Sequence, residues 1–185
     1  MSRLPRHTVD DAPPASRELL AEMSAVSPTG KPLNLHAGLA AAPAVLHGYV
    51  ALRRAPEQHG GLEPRTRVGL MLAAAGAIGN TYTLAIVSML AGRFGWNEAD
   101  IAAIGAGALV GDERFDVLAR VVRQAATGAG RVDDETWSSA VDAGWESPEL
   151  AEAFSPVALV LFTAYFSNYA DIDLDEGLTG VLARS

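Results

Sequence analysis

The sequence predicts an all-α protein, a compact bundle of about seven or eight helices. Three observations predict it. Apolar residues make up 49% of the chain and are dominated by Ala and Leu, which favour helix. The Val, Ile and Thr runs broken by frequent turn signals that would mark a sheet are missing. Helix-start and helix-stop residues recur between the apolar stretches. At 185 residues the chain suits one core and not two domains of ordinary size.

Residues 1 to 32, rich in Pro, Ser and charge, read as a partly irregular N-terminal arm with one helical candidate, Ser16 to Ala25, suited to docking on a neighbour. The domain proper is expected over 33 to 185. Leu35, Leu39, Val45, Leu46, Tyr49, Val50 and Leu52 fall mostly at helical spacing, with Pro43 marking a break or a first turn, so one or two helices fit. Pro64 suits a helix start and Asn80 is a cap, giving two apolar helices over about 63 to 78 and 80 to 93. Further helices follow from Trp96-Asn97-Glu98 through Ala106, from Asp112 to Ala126, from Asp133 to Ala143 and from Pro148 to Tyr169, separated by Gly128, Gly130 and Gly144.

No charged residue occurs from Val68 to Gly92, a run long enough to cross a bilayer. The polar break Gly79-Asn80-Thr81-Tyr82-Thr83 in its middle and the lack of Lys or Arg asymmetry around it oppose a membrane span. A helix pair buried at a subunit interface accounts for the same residues, so a homo-oligomer is expected. The net charge of −8 and the absence of a basic stripe argue against nucleic acid. The N-terminal segment lacks the apolar stretch of a signal peptide, so the cytoplasm is the expected compartment.

With no cysteine, thiolate metal sites and redox thiols are excluded, and chemistry must use oxygen and nitrogen groups. No metal site and no cofactor are implied. Asp171, Asp173, Asp175 and Glu176 lack the Gly and the terminal Glu of a calcium loop and read as a solvated acidic turn. Gly105-Ala106-Gly107 and Gly128-Ala129-Gly130 lack the spacing of a phosphate loop. Trp96, Trp137 and Trp145 read as packing anchors at helix ends.

Leu62-Glu63-Pro64-Arg65-Thr66-Arg67-Val68 followed by Asn80-Thr81-Tyr82-Thr83-Leu84-Ala85-Ile86-Val87-Ser88 resembles the core of the alkylhydroperoxidase D and carboxymuconolactone decarboxylase family, which ordinarily reads Leu-x-Pro-Arg-x-Arg-Glu and then Cys-x-Tyr-Cys-x-x-x-His-Ser. The likeness extends over about residues 33 to 172, through Gly95-Trp96-Asn97-Glu98, Asp112-Glu113-Arg114-Phe115 and Ala143-Gly144-Trp145-Glu146. The resemblance implies an oligomeric helical scaffold, whether dimer, trimer or hexamer.

It also implies a site in which Val68 stands at the glutamate position, Asn80 and Thr83 at the two cysteines and Val87 at the histidine. A threonine hydroxyl is un-ionised at neutral pH and cannot pass through a sulfenic acid, so thiol peroxidase chemistry is absent. Loss of the histidine weakens a decarboxylase reading as well.

Two accounts of the Asn80 region remain. In one, Asn80, Tyr82 and Thr83 surround a small polar spot at a helix end within an apolar cleft, able to hold a small apolar or acidic ligand. In the other, Asn80 is an N-cap and Thr83 is bonded within the first turn. His36 and His47 are candidate acid or base groups reaching the site from another element. On one continuous helix they would lie about 16 Å apart, too far to share a metal. The expected function is a small-molecule-binding or structural oligomer. The alternatives are an enzyme with relocated, non-thiol proton transfer or decarboxylation, and a membrane-associated helical protein.

Overall fold

The computed structural model describes residues 2 to 27 and 30 to 179. Among these residues ten α-helices form and no strand. They are α1 (Pro14–Ala25), α2 (Asn34–Leu39), α3 (Pro43–His59), α4 (Pro64–Ile78), α5 (Thr81–Arg93), α6 (Glu98–Ala106), α7 (Glu113–Thr127), α8 (Asp134–Asp142), α9 (Ser147–Glu152) and α10 (Phe154–Ala170), followed by a 3-10 turn at Glu176–Leu178.

The cap expected at Asn80 forms, and Asn97, Asp112 and Asp133, each placed at a helix start by the sequence, prove to be caps as well. Asn80, Asn97, Asp112 and Asp133 each accept a hydrogen bond from the backbone three residues on, and Pro43 and Pro64 open their helices, where a missing N–H costs nothing. One expected helix is two: α9 and α10 meet at Ala153. Pro156 has no N–H for the Glu152 carbonyl, and its ring crowds that carbonyl, so a continuous ladder fails there.

α4 is the central helix, packed by α5, α6, α7 and α10. Its contact with α6 is backbone on backbone: a Cβ on Gly76 would overlap the Gly105 carbonyl. Arg123 on α7 donates to the carbonyls of Ala73, Ile104 and Gly105, tying α4, α6 and α7 together. A local device occurs twice. The Trp96 indole donates to the Arg65 carbonyl while the Arg65 guanidinium covers its ring at 3.7 Å; Trp145 and Arg114 repeat this at 4.0 Å. In both copies a left-handed glycine, Gly95 or Gly144, precedes the indole. Trp96 and Trp145 are buried anchors, whereas Trp137 is 44% exposed.

The N-terminal segment is no free arm. Ala12, Leu20 and Met23 are buried with Leu35, Leu46 and Tyr49, and Ser16 donates to the Ala40 carbonyl of the same chain. The uncharged run from Val68 to Gly92 is broken at Gly79, which ends α4 in the left-handed conformation. Much of that run is buried within one chain, including Leu70, Leu72, Ala73, Ala85, Val87 and Ala91. Among the described residues the stretch long and apolar enough to cross a membrane by length and composition is Ser147–Ala170, the core-packed α9 and α10.

Candidate functional site

The start of α5 is consumed by internal bonding. The Asn80 side-chain Oδ1 accepts from the Thr83 amide and hydroxyl, each at 2.8 Å, and its Nδ2 donates to Asn168 Oδ1 at 2.8 Å. The capping account of Asn80 and Thr83 therefore holds. Tyr82 donates to the Asp175 carboxylate at 2.6 Å and accepts from the Leu35 amide at 3.0 Å. Burial, then its bond to Asp175, pushes the Tyr82 phenol well above its ordinary range. The polar spot expected from Asn80, Tyr82 and Thr83 together does not form: Asn80 and Tyr82 border a separate polar depression with Ser167 and Asn168, while Thr83 faces the interior.

Asp175 is more than a solvated acid. Its second carboxylate oxygen accepts from the Asn34 amide at 2.9 Å, so Asp175 and Tyr82 between them satisfy two amides at the start of α2. Asn34 also donates to the Asp173 carbonyl. This pin fixes the short helix that carries His36.

On its inner side Thr83 meets an apolar cavity of about 320 Å³, at the lower end of ligand-sized pockets, which run from about 300 to 1,000 Å³. Val68 of α4 and Val87 of α5 form its wall beside Thr83, so three of the five candidate positions Val68, Asn80, Tyr82, Thr83 and Val87 come together. Met71, Ile86, Leu159 and Val160 add apolar surface. α2 contributes His36 and α3 contributes Tyr49 and Arg53, one turn apart on one helix face.

His36 is 7% exposed. Its Nε2 lies 3.5 Å from the Tyr49 hydroxyl, at the outer limit of a hydrogen bond, and its Nδ1 has no partner. Burial, reinforced by the Arg53 charge, lowers its pKa to about 4, so the ring is neutral at physiological pH. A neutral imidazole carries one donor and one acceptor nitrogen. With Nδ1 unpaired and Nε2 weakly engaged, one of these capacities is unused in either tautomer. His47 behaves differently: it is exposed on α3, with Nε2 3.0 Å from the Ala15 carbonyl, where it fastens α1 and does not reach the cavity.

The arrangement can seat an apolar molecule and offer it a neutral hydrogen-bonding or proton-accepting ring. It offers no nucleophilic thiol, because the chain has no cysteine, and Val68 and Val87 leave its wall apolar beside Thr83. Of the residues singled out in the sequence, Val68, Thr83, Val87 and His36 line the cavity; Tyr49, Arg53 and Thr163 line it as well and were not singled out as site residues. The spacing of Tyr49, Arg53 and Pro56 on one face of α3 was the available signal.

No protein-family model matches the sequence, and no curated protein matches it. Solved structures do. An uncharacterized peroxidase-related protein from Ralstonia eutropha JMP134, described as an alkylhydroperoxidase AhpD core, superposes with a TM-score of 0.83 at 15% identity, over 96% of this chain and 94% of its own. The debrominase Bmp8 gives 0.77 at 12% identity in its apo form, over 92% and 91%. A cysteine-to-alanine variant of Bmp8 in complex with 2,3,4-tribromopyrrole gives 0.77 at 15%, over 98% and 95%. The helical order, the central α4–α5 pair and near-complete coverage of both chains together establish that this protein has the alkylhydroperoxidase D core fold.

Proposed function

We propose that the protein binds a small, largely apolar molecule in the cavity between α2, α3, α4, α5 and α10, and that it is not a thiol peroxidase. The observation that carries this reading is the cavity itself, walled by Val68 and Val87 where the resemblance implies ionisable groups. Structural neighbours include a debrominase complexed with a small halogenated ring, which supports a small apolar guest on this scaffold. The test is the thermal-unfolding midpoint with neutral apolar compounds, set against a Val87→Trp variant that fills the cavity. Binding should raise the wild-type midpoint and leave the filled variant unmoved. Equal shifts in both proteins would place binding elsewhere. Cumene hydroperoxide mixed with the protein and a dithiol reductant should be consumed no faster than in buffer.

A second reading is favoured by His36: a neutral, buried imidazole with an unused nitrogen suits proton transfer or decarboxylation of a bound small acid. In that case His36→Gln should abolish turnover while ligand binding persists. A homo-oligomer, dimer, trimer or hexamer, is part of the same proposal, supported by exposed Phe154, Tyr165 and Tyr169 on α10. Light scattering after size exclusion tests it.

A further inference from the structure

The cavity is polarised along its depth. Thr83 on α5 is buried at the inner end, whereas Arg93 and Phe94, about 15 Å further along the same helix by its rise per residue, are exposed at the mouth. α3 runs the same way, from buried Tyr49 through half-buried Arg53 to exposed Glu57. The charged side chains lining the cavity are Arg53, Arg67, Arg93 and Glu57, three cations against one anion in a chain whose net charge is −8.

Among the described residues none of these cations is paired with a carboxylate. Among the described residues Arg53 and Arg93 have no hydrogen-bond or ion-pair partner, and Arg67 donates to the carbonyls of Pro56 and Leu62 and to no carboxylate. Glu57, one turn from Arg53, forms no ion pair with it, so the guanidinium is free to meet an incoming charge. A partly desolvated, unpaired Arg beside an apolar cavity is costly without a counter-charge and favourable with one.

We infer that the ligand is an amphiphilic organic anion, its apolar body seated against Val68, Thr83 and Val87 and its acid group held at the mouth by Arg53, with Arg67 and Arg93 adding field. This rests on the cavity-binding reading and narrows it to a chemical class.

Isothermal titration with octanoate, 1-octanol and octylamine, which share a tail and differ in head charge, tests it. Octanoate is expected to bind about tenfold or more tighter than 1-octanol, with octylamine weakest. Arg53→Ala should bring octanoate down to the level of 1-octanol while leaving 1-octanol unchanged, and Arg53→Lys should recover part of the loss. Because Arg53 lies outside the core clusters, circular dichroism should show both variants folded. Equal binding of octanoate and 1-octanol overturns the anion assignment alone. Arg53→Ala weakening both ligands equally does the same. If none of the three binds, the cavity-binding reading falls and the anion assignment with it.

Discussion

Lowering the pH should weaken this protein through one imidazole. In the unfolded chain His36 takes up a proton below about its ordinary value of 6.5, whereas in the folded protein it does so only below about 4. Between those values the unfolded state binds more protons, so stability falls as pH falls. Above the unfolded value the residue contributes no pH dependence, and below the folded value the penalty is complete. Its full size is about 3 kcal/mol, a large part of the stability of an ordinary domain.

The assay is urea unfolding followed by circular dichroism across that window, for wild type and His36→Leu. Every other ionisable group is common to both proteins, so its contribution cancels in the difference. Burial raises the Tyr49 phenol above its ordinary range, so it stays neutral throughout. The wild type should lose about 3 kcal/mol more than the variant on going from neutral to about pH 4. Parallel pH profiles would refute the reasoning, because they would mean that His36 accepts a proton in the folded state as easily as in water.

Other perturbations follow from the packing. Tyr82→Phe removes the bond to Asp175 and leaves the Leu35 amide without its acceptor, which should cost about 1–3 kcal/mol in urea unfolding and loosen hydrogen-exchange protection in α2. Gly76→Ala should cost about 1–3 kcal/mol or more, because its methyl would overlap the Gly105 carbonyl and force α4 from α6. Gly105→Ala should be tolerated, since its methyl would meet only Leu84 at 3.8 Å and alanine favours helix. Asn80→Ala should cost about 1 kcal/mol or more, as the cap is lost and the Thr83 hydroxyl loses its acceptor.

Helices were legible wherever a cap and an apolar period agreed. Asn80, Asn97, Asp112 and Asp133 each place a boundary to within a residue, because capping is local chemistry. The break at Ala153 was missed although Pro156 was in view, since the apolar pattern runs unbroken across it. The Arg–Trp device, with Arg65 and Trp96 at one constant offset from Arg114 and Trp145, was present in the sequence and went unread. At the site, the positions carried by resemblance marked the cavity wall, but resemblance could not say that Tyr82 turns away to pin α2. That fact depends on Asp175, which lies 93 residues from Tyr82. His36 and His47 looked equivalent as letters. Only the break between α2 and α3 puts one inside and the other on the surface.

The pin on α2 has a consequence for how the molecule comes into being on the ribosome. The bonds from Asn34 to Asp175 and to Asp173 span 141 and 139 residues. Synthesis is vectorial, so α3, α4 and α5 emerge before the segment that locks the His36 wall against them. A chain released without that lock would hold an incomplete cup whose greasy lining faces water. A guest that fits the cup, or a holdase that covers it, would act as a folding partner before it could act as anything else.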